Sequence, residues 1–224
     1  MRALAVAGTD TGVGKTVVTA ALAAVARADG ARVAVLKPAQ TGVDGAGAGD
    51  LDEVRRLSGV DDLHELARYP EPLAPATAAR RAGQAGLGAE QVAAAARGLA
   101  DRDVVLIEGA GGLLVRFDDD GSTLADVASL LGAAVLVVSR PGLGALNHVA
   151  LTCAALDQRG LRCPGVVIGA WPADPGLAEW CNLQDLPSYS GRPVLGRVPD
   201  GAARLDPAAF AAGARDWIST KGLV

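Results

Sequence analysis

Gly8-Thr9-Asp10-Thr11-Gly12-Val13-Gly14-Lys15-Thr16 stands between an apolar run, Ala3-Leu4-Ala5-Val6-Ala7, and an alanine-rich stretch from Val17 to Arg27. The apolar run reads as a short buried strand and the alanine-rich stretch as a helix. Strand, glycine loop, Gly-Lys-Thr and helix is the context that a phosphate-binding loop needs. Glycines let the backbone curl with its N–H groups turned inward. The first helical turn adds unpaired N–H groups and a positive dipole end. Lys15 reaches the outer phosphates in such a loop, and the Thr16 hydroxyl is a ligand for Mg²⁺. The spacing is unusual. The general pattern has four residues between its first glycine and Gly-Lys, and here Gly8 lies one residue further out, with Thr9 in its place.

Outward from the loop, apolar strand-like runs alternate with helix-like ones. Strands are expected at 32–36, 103–107, 133–138, 165–168 and 194–198, and helices at 50–57, 89–100, 122–131, 145–158, 175–185 and 206–219. Pro38 is expected to stop the second strand, and Ser122 to cap its helix. Residues 58–88 show no clear period and read as an extended, proline-bearing loop before a short helix. Near-continuous Val, Leu, Ile and Ala in strands that alternate with helices predict an α/β fold of the P-loop NTPase kind, with a mostly parallel sheet and helices on both faces. A length of 224 residues suits one such domain, 1–224, with no repeat and no linker. In these sheets ligands lie beyond the carboxyl ends of the strands. The unusual residues gather there: Lys37, Glu108, the 140–144 loop, and turns at Gly169 and Pro199.

The composition narrows the classes. Half the residues are apolar but only 3% are aromatic, so Ala, Val and Leu must build the core. A net charge of −4 without a basic block gives no footprint for nucleic acid. No apolar run is long enough for a membrane span, and the first strand leads straight into the loop, which predicts a cytoplasmic protein. Cys153, Cys163 and Cys181 form no Cys-x-x-Cys pair and read as reduced thiols. There are only three lysines among 21 basic residues, and two of them, Lys15 and Lys37, fall at strand ends beside ligand loops. A chain that uses arginine elsewhere places a compact, mobile point charge at those two sites.

A metal–nucleotide site needs hydroxyl and carboxylate oxygens. Thr16 supplies a hydroxyl, and Glu108, followed by Gly109-Ala110-Gly111-Gly112, supplies a carboxylate at a strand end. Asp50 is a second carboxylate candidate, or else an ordinary helix N-cap. Lys37-Pro38-Ala39-Gln40-Thr41-Gly42 puts a cation and a hydroxyl opposite the phosphate loop, where a lysine stabilises a transferring phosphoryl group or an anionic substrate, or is simply a surface lysine.

Together the phosphate loop, Lys37 to Gly42, Glu108 to Gly112 and Gly142-Leu143-Gly144-Ala145-Leu146-Asn147-His148 resemble, in this order, the motifs of the dethiobiotin synthetase family. The resemblance runs from residue 3 to about 217 and includes the longer phosphate-loop spacing. It implies an ATP-dependent carboxylase of biotin synthesis acting on 7,8-diaminononanoate and CO₂. One amine becomes a carbamate, the carbamate takes the γ-phosphoryl group, and the second amine closes a cyclic urea. Products are dethiobiotin, ADP and phosphate. By this resemblance Lys15 and Lys37 are catalytic, and Thr16, Asp50 and Glu108 hold Mg²⁺. Nucleotide contacts fall to Gly12, Val13, Gly14, Lys15, Thr16, Val17 and Asp50, and to Glu108, Gly109, Ala110 and Gly111. The turns Gly169-Ala170 and Pro199-Asp200-Gly201 line the base. Thr11, Lys37 and Thr41 meet the diamine. In the family's homodimer, Gly144 and Asn147 of the partner's 142–148 segment cap the substrate.

Two departures bear on these assignments. Gly12 stands where many relatives carry an acidic residue. Gly169-Ala170-Trp171-Pro172 replaces an asparagine-based adenine clamp, which leaves the preferred nucleotide base open. Other readings of the residues are a cobyrinate-type amide ligase, a partitioning-type nucleotide switch and a non-catalytic nucleotide-binding module. The first usually carries a glutaminase domain, for which the chain has no room. The second needs an extra loop lysine, where Asp10 stands. The third leaves Lys37 and Glu108 without a purpose.

Overall fold

A computed structural model describes all residues, 1–224. Seven strands form one parallel sheet: β1 (Arg2–Gly8), β2 (Val33–Thr41), β3 (Leu63–Tyr69), β4 (Val104–Gly112), β5 (Ala134–Ser139), β6 (Val166–Trp171) and β7 (Val194–Pro199). Their order across the sheet is β3-β2-β4-β1-β5-β6-β7, and every pairing is parallel. The helices are α1 (Lys15–Ala28), α2 (Asp50–Ser58), α3 (Pro75–Arg81), α4 (Ala89–Arg97), α5 (Leu124–Leu131), α6 (Ala145–Gln158), α7 (Leu177–Ser190) and α8 (Pro207–Trp217).

Both faces of the sheet are covered, as its uninterrupted apolar strands require. One layer packs α1, α2 and α8 through Leu22, Val54, Leu57 and Phe210. The opposite layer packs α4, α5, α6 and α7 through Val92, Leu124, Val149 and Leu186. Helix α1 is buried almost all round from Val18 to Ala26, and its alanines are what let it lie against the sheet without displacing neighbours. Each fully buried leucine in these layers stabilises by about 1.5–3 kcal/mol, so truncating Leu22, which is 0% exposed, costs about 2–5 kcal/mol.

Four expectations change. The stretch 58–88 contains a strand, β3, on the sheet edge, where six of its seven residues are only half-buried. Strand β2 runs through Pro38 to Thr41. It leaves β4 after Leu36↔Ile107 and continues against β3 alone, so the missing proline N–H breaks no ladder on the β4 side. Strand β4 likewise runs through Glu108 to Gly112, so Glu108 lies inside a strand, opposite Val6, rather than at its end. The cap of α5 is Thr123, whose N–H and hydroxyl both donate to Asp126. Ser122 instead accepts from the Ala89 N–H at the start of α4.

The two sheet edges differ. Beyond β7 the chain returns: Gly196 and Ile218 form an antiparallel bridge, and Ser219 donates from its N–H to the Leu195 carbonyl. The β3 edge has no such cover but carries charge, with Glu65 paired to Arg68 and His64 to Asp62.

Candidate active site

The strand order builds the site. Glu108 in β4 lies between Lys37 in β2 and the loop that follows β1, so three separate motifs meet toward the carboxyl ends of adjacent strands. The Lys37 ammonium, 3% exposed as a residue, donates to Glu108 Oε1 at 2.8 Å, to Asp50 Oδ2 at 2.5 Å and to the Gly109 carbonyl at 3.2 Å. Glu108 is wholly buried, and its Oε1 also accepts the Thr16 hydroxyl at 2.9 Å. Asp50 is the first residue of α2, behind Gly49, and its carboxylate turns to Lys37. The capping role belongs to Asp52, which accepts the Gly49 N–H at 2.8 Å, and this settles the N-cap alternative for Asp50.

Charges this deep persist only when paired. Burial pulls the Lys37 pKa down, but Glu108 and Asp50 pull it up further, and the net shift is upward. Burial pushes Asp50 up, but Lys37 outweighs it and holds the carboxyl below its ordinary range. Lys15 is the reverse case: burial first, then repulsion from Lys37, lowers its pKa, and its ammonium donates to the Asp10 carbonyl at 3.1 Å.

A cavity of about 730 Å³ opens over this cluster. Thr11, Gly12, Gly14, Lys15, Thr16 and Val17 line it from the phosphate loop and the start of α1. Lys37, Thr41 and Asp50 line it from the second side, and Ala110 and Gly111 from β4. Val13 is buried behind the loop, and Gly109 carries the carbonyl that accepts from Lys37. The loop's geometry depends on glycine. Gly14 has φ +93°, in the left-handed region, and a Cβ there would lie 2.6 Å from the Gly169 carbonyl oxygen. Conversely a Cβ on Gly169 would sit 1.9 Å from the Val13 carbonyl oxygen. The loop therefore rests directly on the end of β6.

The donor set suits a hard divalent cation. It offers one hydroxyl and two carboxylates, and Glu108 Oε2 is a buried oxygen with no hydrogen-bond partner.

The remaining expected residues lie elsewhere on the same end of the sheet. Gly169 and Ala170 end β6. Pro199, Asp200 and Gly201 follow β7, and the Asp200 N–H donates to the Trp171 carbonyl at 2.7 Å, tying the two turns together. None of these five lines the cavity. Gly144 and Asn147 are exposed at the start of α6 and do not line it either. The structure also brings in residues that motif spacing did not single out: Pro72, Leu73, Ala74 and Pro75 form a cavity wall, and Gln40 sits beside Thr41 with a carboxamide in hydrogen-bonding contact with Asp50. The proline cluster was visible as irregular sequence, but nothing in it named the site.

Comparison with known proteins bears on the fold and the family. The model of the AAA domain family matches residues 2–206. In solved structures the fold recurs in the septum site-determining protein MinD of Pyrococcus horikoshii, at a TM-score of 0.59 and 16% identity over 96% of this chain and 95% of that one. It recurs too in the cell division ATPase MinD of Pyrococcus furiosus, at a TM-score of 0.58 and 19% identity, covering 100% and 99%. These likenesses concern the fold alone. Among curated proteins, ATP-dependent dethiobiotin synthetase BioD of Streptomyces coelicolor is 59% identical over 98% of this chain and 92% of its own length. The protein of that name from Saccharopolyspora erythraea is 61% identical over 94% and 92%, and that from Mycobacterium avium 54% identical over 98% of each. With its phosphate loop, buried lysine and paired carboxylates in the order that the motifs require, the chain belongs to the ATP-dependent dethiobiotin synthetase family.

Proposed function

We propose that this chain carries out its family's reaction through Lys37, Lys15 and a divalent ion held by Thr16, Asp50 and Glu108. The reaction joins 7,8-diaminononanoate and CO₂ at the expense of ATP and gives dethiobiotin, ADP and phosphate. The observation that carries the residue assignment is Lys37, buried between Glu108 and Asp50 and facing Thr16 and Lys15 across one cavity.

The chemistry has to bring two anions together, a carbamate and a γ-phosphate. Lys15 holds the outer phosphates from the loop. Lys37 stays protonated at neutral pH, because its carboxylate partners outweigh burial, so it acts as a fixed cation toward the carbamate and not as a base. Mg²⁺, when bound, neutralises phosphate charge and aligns the transferring group. Thr16, Asp50 and Glu108 would hold it. The N–H groups of Gly12 to Val17 cradle the phosphates, with Gly109 to Gly111 closing the loop's other side. Thr11 and Thr41, on opposite walls of the cavity, position the diamine by hydrogen bonds. Both reacting amines belong to one molecule, so holding it extended beside the γ-phosphate supplies much of the rate.

The nucleotide base lies between Gly169-Ala170 and Pro199-Asp200-Gly201, two turns joined by the Asp200 hydrogen bond and made largely of backbone. The chain works as one domain and as a cytoplasmic homodimer. Gly144 and Asn147 then serve the partner's substrate: they begin α6 beside Leu143, 86% exposed, and that helix start has no side-chain cap. Free N–H groups there suit the substrate's far carboxylate.

Phosphate release from Mg-ATP, measured with and without the diamine and bicarbonate, tests this reading. Release that requires both, with a cyclic urea seen by mass spectrometry, supports it. Release without the diamine overturns it.

A further inference from the structure

The segment that delivers Asp50 to the site has little structure of its own. Residues 42–49 include Gly42, Gly45, Gly47 and Gly49 and belong to no helix or strand. Two side chains hold its end. Gln40 on β2, 6% exposed, accepts the Asp50 N–H on Oε1 at 2.8 Å and donates from Nε2 to the Thr41 carbonyl at 3.0 Å. Arg68 on β3 donates from Nη1 to the Gly47 carbonyl at 2.5 Å and to the Gly45 carbonyl at 3.1 Å, while Glu65 grips its other nitrogens at 2.6 and 2.9 Å. The Asp50 N–H opens α2 and has no partner within the helix, so the Gln40 oxygen answers a need that every helix start has. Gly49 leaves the room for it: a Cβ there would lie 2.9 Å from Gln40 Oε1 and 3.1 Å from Arg68 Nη2.

We propose that Gln40 is a positioning residue that fixes the Asp50 carboxylate for the divalent cation by holding the Asp50 backbone at the head of α2. The inference rests on the reading of Asp50 as a metal ligand. Lys37 alone would draw that carboxylate toward β2. The Gln40 contact fixes the backbone from which it hangs, and so sets where the carboxylate sits in the cavity wall. Without Gln40 the ion must organise the glycine-rich segment itself, and affinity falls by the work of ordering it.

The test is Mn²⁺ binding in the presence of ADP, followed by electron paramagnetic resonance on the intact protein. Gln40→Met keeps the length and removes the acceptor. It should weaken Mn²⁺ binding by about tenfold, and the loss of rate should be recovered by raising Mg²⁺, which a general packing defect would not allow. Gly49→Ala keeps Gln40 but displaces its carboxamide, and should weaken Mn²⁺ in the same direction. It should add nothing on top of Gln40→Met. If Gln40→Met does not fold, Gly49→Ala decides alone. Asp50→Asn separates the two readings. Weakened binding there with unchanged binding in Gln40→Met and Gly49→Ala overturns the positioning role and leaves Asp50 as a ligand. Unchanged binding in all three overturns both.

Discussion

The two halves of the ligand end are built on different principles. Over β2, β4 and β1, side chains do the work: Lys37, Glu108, Asp50, Thr16 and Lys15 form one charged network inside the protein. Over β6 and β7 the backbone does it: Gly169 supports the phosphate loop by lacking a side chain, and the turn at Asp200 is tied through its N–H. In the proposed function the first half would bind phosphate and metal, which demand fixed charge. The second would face the nucleobase, for which turns of backbone and small residues suffice. Charged networks use rare residue types, and backbone supports use common ones.

Lys37→Ala breaks the first half hardest. Removing the cation leaves Glu108 buried and unpaired, which costs about 3–5 kcal/mol, so the unfolding temperature should drop in metal-free buffer and recover in part with Mg²⁺. Product formation should fall by at least about a thousandfold, with nucleotide binding largely kept by Lys15 and the loop. Isothermal titration with ADP decides the point, since loss of nucleotide binding would move Lys37 into the phosphate site.

Glu108→Gln is gentler, because the amide still accepts from Lys37 and Thr16. It removes a charged contact of about 2 kcal/mol, so half-maximal rate should require more than about tenfold more Mg²⁺. An unchanged metal requirement would mean that Glu108 is not a ligand.

Gly169→Ala carries the comparison to the second half. The new methyl meets the Val13 carbonyl, and overpacking of this kind costs about 1–3 kcal/mol. Nucleotide affinity and unfolding temperature should fall together. Asp200→Ala, whose contact is made by the backbone, should change neither by more than about 0.5 kcal/mol. If the aspartate variant proves the more damaging, side chains govern this half too.

The smallest effect lies far from both halves. Arg32 donates to Asp103 from its side chain and its backbone N–H, and these bonds lower the Asp103 pKa to about 2. A carboxyl depressed in the folded state stabilises fully above its ordinary value of 3.8 and loses that contribution as pH falls toward about 2. In Arg32→Ala, which keeps the backbone donor, a carbon-detected NMR titration should find the Asp103 pKa moved part of the way back toward its ordinary value, with the acid limb of the stability curve shallower between those two pH values.

The same contrast explains what the sequence disclosed. The parallel α/β sheet was legible because 3–7, 104–107 and 134–138 are unbroken apolar runs, and the phosphate loop because Gly-Lys-Thr follows a strand. Lys37 and Glu108 were legible as charges that directly follow apolar runs. Strand β3 was not: Leu63-His64-Glu65-Leu66-Ala67-Arg68-Tyr69 is a half-buried edge without strict alternation, so it carries neither the pattern of a buried strand nor that of an exposed one. The extensions of β2 past Pro38 and of β4 past Glu108 were hidden by proline and glycine, which read as terminators unless the pairing partner is known. Gln40 was hidden because its role depends on Asp50, ten residues on, returning to the end of β2 across a glycine-rich segment.

The return of Ile218 and Ser219 along β7 has a consequence for solubility. An uncovered strand edge is a template on which another copy of the chain can add a strand, and self-association begins there. The opposite edge is protected by charge, through Glu65 and Arg68, but β7 has only Arg197 and depends on its own chain folding back over Leu195 and Gly196. Cutting the chain before Ile218 would leave the cluster of Lys37, Glu108 and Asp50 untouched and open the β7 edge, so the shortened protein should aggregate on concentration while its dilute form still binds nucleotide.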